Sequence, residues 1–163
     1  MKHTLVALVE NEPGVLNRVV SLFRRRNFNI DSLTVGRTED PNISRMTIVL
    51  DSNVTRVDQV QKNLYKLVNV LQVYEITQQP SVSRDLALIK VRASEEAAVL
   101  ASHFGARILD HSDGMMILDL SDEEERVEQF IQALRPHGII ELVRTGVVAM
   151  GRGSHVVQVP QLA

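Results

Sequence analysis

One order of elements, strand, helix, strand, strand, helix, strand, runs twice along the 163-residue chain. That doubling restricts the fold more than any single motif. The first round opens with the apolar run Leu5 to Val9, closed by the turn-forming stretch Glu10-Asn11-Glu12-Pro13-Gly14. Val15, Leu16, Val19, Val20 and Phe23 then share one face at helical spacing. Arg24-Arg25-Arg26 fills the last turn, where cations suit the negative end of the helix dipole. A solvated helix end is the simplest reading of this triplet, and a docking patch for an acidic surface is its alternative. Phe28 to Arg37 reads as a strand whose apolar phase slips, which predicts a bulge near Asp31-Ser32. Ser44 to Leu50 alternates as the next strand. A helix with Thr55 as N-cap and the stripe Val57, Val60, Leu64 and Leu67 follows, and the strand Val70 to Ile76 closes the round.

The polar stretch Gln78 to Ser83 marks a boundary, giving domains 1–78 and 84–163. In the second round Leu86 to Val91 is a strand, and Ser94 caps a helix carrying Ala97, Ala98, Ala101 and Phe104. Ala106 to Asp110 and Met115 to Leu120 flank a Ser112-Asp113-Gly114 turn, a hairpin signal. Ser121 with Glu124 reads as a capping box ahead of the stripe Val127, Phe130, Ile131 and Leu134, and Ile139 to Met150 reads as one last strand. The fold class is α+β: two ferredoxin-like βαββαβ domains, a repeat of pattern rather than of sequence. Each half is near the size at which a single core is marginal, and such sheets end in exposed edges, so at least a dimer is expected.

Composition removes several function classes. There is no cysteine, which excludes disulfides, thiol catalysis and cysteine-based zinc sites. A net charge of −2 and only six aromatic residues (two Tyr, four Phe) give nucleic acid nothing to bind. No apolar run approaches the roughly 20 residues that span a bilayer, and the first residues carry no export signal, so the chain reads as cytoplasmic with no membrane partner. His3, His103, His111, His137 and His155 are scattered and none pairs at helical metal spacing. The run Asp122-Glu123-Glu124-Glu125 sits in a first helical turn, where the dipole stabilises carboxylates, and no catalytic or metal motif occurs elsewhere.

One segment carries chemistry. Glu10-Asn11-Glu12-Pro13-Gly14-Val15-Leu16 joins the first strand to the first helix, whose free N–H groups and partial positive charge suit a carboxylate. Gly14 allows close approach to the backbone. The Asn11 amide can accept from an ammonium group or donate to a carboxylate. Together they can hold both charged ends of a free amino acid. Alternatively, Asn11 is an N-cap and Pro13-Gly14 only shapes a turn.

This loop inside βαββαβ resembles the ACT domain, a module that binds amino acids at subunit interfaces. With Arg18-Val19, Asn27 to Val35, Asp40-Pro41 and Ser44 to Ile48, then Val143 to Ala149 with Arg152-Gly153, it resembles more closely the small subunits of acetolactate synthase. Only the tail from about Ser154 has no place in that pattern. The resemblance implies a non-catalytic regulatory chain, homodimeric through its ACT domains, that binds valine. It also implies a large catalytic subunit carrying thiamine diphosphate, Mg²⁺ and FAD, activated by this chain and inhibited through it by valine in branched-chain amino acid synthesis. Carried over, Asn11, Gly14, Val15 and Leu16 hold the amino acid's backbone groups, and Asn29 and Ile30 of a neighbouring chain complete the site. Some members have Ala at Gly36, which borders it. The rivals are an ACT-type sensor acting on transcription, which lacks a basic recognition helix, and a scaffold without ligand.

Overall fold

The elements of the first round pack because their apolar phases agree. A computed structural model describes residues 1–162. Contacts divide them into one unit of Met1–Val82 with the segment from Val148 onward, and a second of Ser83–Val147.

In the first unit β1 (Lys2–Glu10), β2 (Ile30–Arg37), β3 (Ile43–Asp51) and β4 (Val70–Glu75) form an antiparallel sheet ordered β2-β3-β1-β4. Helices α1 (Val15–Arg25) and α2 (Val57–Leu64) cover one face. Leu5, Ala7 and Val9 point into that core with Val19, Phe23, Met46, Ile48 and Leu64. The register shifts between Ile30 and Ser32, which is the predicted bulge. The cap of α2 differs from expectation: Arg56 holds that position with no side-chain cap bond, and Thr55 is buried. Its Oγ1 instead accepts the Asn29 N–H at 3.1 Å, so a tertiary bond outcompetes the local one.

The other face of the same sheet is covered from the far end of the chain. Val6 and Ile76 are buried with Ala149, and Tyr74 and Val157 pack against them. Arg45 Nη2 donates to the Ala149 carbonyl at 2.7 Å, and Arg152 N–H donates to the Pro80 carbonyl at 2.7 Å. An added Cβ at Gly151 would lie 2.3 Å from the His155 carbonyl oxygen, so glycine permits the chain to curl there. The sequence reading places 84–163 together in the second domain, whereas these contacts assign the stretch from Val148 to the first unit. The tail left unplaced by the sequence therefore has a packing role through Val157; its last residue, 163, lies outside the described residues.

In the second unit β5 (Ser81–Arg92, of which Ser83 onward belongs here), β6 (Arg107–Ser112), β7 (Met115–Asp122) and β8 (Ile139–Arg144) are ordered β6-β7-β5-β8. Helices α3 (Glu95–Phe104) and α4 (Glu124–Leu134) supply Ala97, Ala101, Val127, Phe130, Ile131 and Leu134 to its core. Ser94 caps α3 by accepting the Ala97 N–H at 3.1 Å. Asp113 (φ 52°) and Gly114 (φ 72°) make the primed hairpin turn that the strands' twist requires. The expected capping box does not form: Ser121 still pairs with Leu86 in the sheet, and Glu123 is the N-cap of α4. Nor is the last strand continuous. It breaks after Arg144, passes Gly146 at φ 86°, and resumes as β9 (Val148–Gly151).

Candidate functional site

The loop after β1 is held from three sides. The Glu10 N–H donates to the Asn69 carbonyl at 2.9 Å, the Asn11 N–H to the Asn42 carbonyl at 2.7 Å, and Asn11 Nδ2 to the Pro41 carbonyl at 2.9 Å. Asn11 is therefore not the cap of α1. Its NH₂ group fastens the loop to the β2–β3 turn, which leaves the amide oxygen as the group able to accept from an ammonium. Gly14 is the N-cap, at φ 85° and ψ −8°, and provides no side-chain cap bond.

The consequence lies in the first turn of α1. The Val15 N–H is turned towards the Glu12 carbonyl at 3.3 Å, and Arg18 N–H reaches the Gly14 carbonyl at 3.0 Å. Leu16 and Asn17 N–H groups have no acceptor among the described residues, and α1 has no acidic residue in its first turn. Two open donors at the positive end of an eleven-residue helix are groups whose chemistry suits an anion. An added Cβ at Gly14 would meet nothing within 4 Å, so a ligand can reach the backbone there. Val15 is buried and anchors the helix in the core, while Leu16 is 46% exposed and available to an apolar group.

Asn29 and Ile30 lie elsewhere. Glu10 pairs with Ile43 at one end of β3, whereas Ile30 pairs with Leu50 near the other. Seven residues at about 3.3 Å each put roughly 23 Å between those rows. The structure thus gathers Asn11, Gly14, Val15 and Leu16, and leaves Asn29 and Ile30 at the far end of the sheet on its edge strand β2. Gly36, by contrast, pairs with Arg45, beside Leu8, on the loop's own end of the sheet, and a Cβ there would meet nothing within 4 Å.

Sequence reasoning overlooked a polar chain beneath the loop. Arg18 Nη1 donates to Asn69 Oδ1 at 2.5 Å, and Asn69 Nδ2 donates to Glu10 Oε2 at 2.9 Å. Asn69 is 7% exposed, so this buried amide sets both the end of β1 and the position of a guanidinium one turn from Gly14. The available signal was Arg18 four residues after Gly14; nothing in the sequence singled out Asn69. His3 also has an unforeseen partner, Glu75, with Nδ1 to Oε1 at 2.6 Å across β1 and β4. Among the described residues no group of three His, Cys, Asp or Glu is arranged to hold a metal, and no helix is long and apolar enough to cross a membrane.

A βαββαβ unit presenting an open helix start behind an Asn-x-Pro-Gly loop, followed by a second unit of the same plan, defines a two-domain ACT-type chain. Residues 5–72 match the AHAS small subunit-like ACT domain, and residues 84–153 match the family described as small subunit of acetolactate synthase. The chain is 51% identical over 158 residues to a probable acetolactate synthase small subunit of Archaeoglobus fulgidus, covering 94% of this chain and 99% of that one. It is 46% identical over 155 residues to the acetolactate synthase small subunit of Mycobacterium leprae, covering 93% and 92%. The crystal structure of the small subunit from Thermotoga maritima superposes with a TM-score of 0.87 at 38% identity, over 94% of this chain and 99% of that one. The chain belongs to the family of acetolactate synthase small subunits.

Proposed function

We propose that this chain regulates a large catalytic acetolactate synthase subunit, raising its activity, and that valine bound at the first unit weakens that effect. The observation that carries the ligand half of the reading is the pair of open N–H groups, Leu16 and Asn17, behind a glycine with empty space at its Cβ position. A carboxylate suits those donors, an ammonium suits the Asn11 amide oxygen, and a short branched side chain suits the exposed apolar surface of Leu16.

Asn29 and Ile30 enter only across two copies. They stand about 23 Å from the loop along their own sheet, so a site using both sets needs the edge strand of a neighbouring chain, and the functional unit is a homodimer through the first units. The site is then completed by association, and occupancy of the interface becomes the signal. Coupling free energies of about 1–3 kcal/mol, or 5- to 150-fold in affinity, are usual for such linkage. Thiamine diphosphate, Mg²⁺ and FAD belong to the catalytic partner in this reading.

The test is calorimetric titration of the purified chain with valine, with leucine, isoleucine and threonine as comparisons, followed by assay of the large subunit with and without this chain. Saturable valine binding at one site per chain or fewer, with activation relieved by valine, is the expected result. Activation without valine binding would leave the chain a regulator but remove the sensor.

A further inference from the structure

The first sheet ends at β4, and the middle of that edge is already occupied. Ile76 N–H donates to the Thr4 carbonyl at 3.1 Å, and Tyr74 pairs with Val6 in the same ladder. In an antiparallel ladder alternate residues turn both backbone groups to the same neighbour. Tyr74 and Ile76 therefore bond to β1, while Val73 and Glu75 turn their N–H and C=O groups outward. Leu71 has no counterpart in β1, because the register passes from Leu8–Gln72 to Val9–Val70.

A side chain meets the outward groups of Val73. The Tyr65 hydroxyl accepts the Val73 N–H at 3.0 Å and donates to the Val73 carbonyl at 3.3 Å. A residue of a neighbouring strand makes the same two bonds, one accepted and one donated, in a hydrogen-bonded pair. The phenol thus stands where the next strand would lie. Tyr65 follows the last turn of α2 and is 55% exposed, so core packing does not account for its position. On one side of Val73 is the Leu71 bulge. On the other is the Glu75 carboxylate, facing His3 Nδ1 at 2.6 Å. Bulges and charges are the usual protection of an edge against another chain, and Val73 lies between them.

We infer that Tyr65 is an edge guard, whose hydroxyl denies the centre of β4 to β4 of a second copy. The sequence Val70-Leu71-Gln72-Val73-Tyr74 has no charge before Glu75. Two such strands, antiparallel and centred on Gln72 or Val73, set Glu75 opposite Asn69 or Leu71, so no like charges resist their pairing. Blocking the backbone is then what separates this edge from a second copy. The other edge of the sheet is β2, where the proposed function brings a neighbouring chain, and the guard confines association to that side. Only this last step rests on the proposed function.

Tyr65→Phe in the full-length chain tests the guard, because it keeps the ring and removes the hydroxyl. Hydrogen exchange of the Val73 amide should quicken about fivefold, the loss of one ordinary hydrogen bond, while the Tyr74 amide exchanges as before. In sedimentation the weight-average mass of the variant should climb with concentration above that of the unchanged protein. Adding Val73→Pro removes an N–H that faces away from β1, and should return the mass to its original value. Faster Val73 exchange with the original mass at every concentration would make Tyr65 a structural residue only and overturn the inference. Unchanged Val73 exchange, or a double variant that associates as readily as Tyr65→Phe, would overturn it as well. The single variant decides the matter even if the proline is not tolerated. Valine titration of the unchanged protein moves with none of these results, so the guard and the sensor reading fail separately.

Discussion

Substitutions at Gly14 separate backbone strain from ligand chemistry. At φ 85° the residue is in the left-handed region, and an added Cβ meets no atom within 4 Å, so the stability cost is conformational alone. For alanine that cost is about 1–2 kcal/mol, and asparagine and aspartate, which tolerate this region, should lose less. A melting-point fall of about 4–8 °C per kcal/mol makes the difference measurable in a domain of this size. Gly14→Asn and Gly14→Asp are nearly isosteric and differ in one charge. If a ligand carboxylate sits about 5 Å from the aspartate, the repulsion is about 0.8 kcal/mol in bulk water and about 3.3 kcal/mol at an effective dielectric of 20. Valine affinity should then fall from Asn to Asp by about 4-fold to about 270-fold, and the gap should shrink in high salt. Calorimetric titration with parallel thermal melts reads both quantities. Equal valine affinity for the two variants would mean that no carboxylate lies over Gly14, and the assignment of this loop would be wrong.

Other outcomes follow from the two cores and their charged borders. Asp85 is 1% exposed, its Oδ2 accepts from Arg144 Nε at 2.8 Å, and its Oδ1 has no partner among the described residues. Arg144→Met should therefore destabilise the second unit by about 3 kcal/mol in denaturant titration, and adding Asp85→Leu should restore most of it; a double variant no better than the single one would contradict this account. Phe130, fully buried in the second core, should cost about 3–5 kcal/mol as Phe130→Ala. That loss should appear in hydrogen exchange of α4 and β5 before it appears in β1. The Asn53 backbone N–H holds the Asp51 carboxyl below its ordinary value, and the Gln132 amide does the same for Glu128. A carboxyl depressed in the folded state contributes stability above its unfolded value near 4. Melts should thus be flat on this account at neutral pH and fall as the pH drops through the folded values; Glu128→Gln should flatten part of that acid limb.

Local pattern carried most of the fold. The stripe Val127, Phe130, Ile131 and Leu134 is buried because a 3.6-residue period leaves one face for the sheet. The bulge at Ile30 to Ser32 was visible because a one-residue slip changes which side chains face inward. What local pattern could not contain was competition from distant partners. Thr55 looks like a cap in isolation but spends its oxygen on Asn29, and Ser121 is retained by its strand pairing with Leu86. At the site, the Pro-Gly loop and its open helix start were legible from residue types. The Asn69 relay was not, because it depends on where β4 begins. Nor does any spacing in the sequence reveal that Asn29 and Ile30 occupy the opposite end of the sheet.

The contact of Arg45 with Ala149, 104 residues apart, has a consequence for how the protein is made. During synthesis β1 to β4 emerge first, yet Val6 and Ile76 remain uncovered until Ala149 and Val157 have been added. Contacts of such long separation form late, and a partly finished chain keeps sticky surface exposed in the meantime. The domain translated first is thus the one completed last. A nascent polypeptide, or one cut short before Ala149, displays an unfinished sheet to the cell's quality control, and only a chain extended through Val157 conceals it.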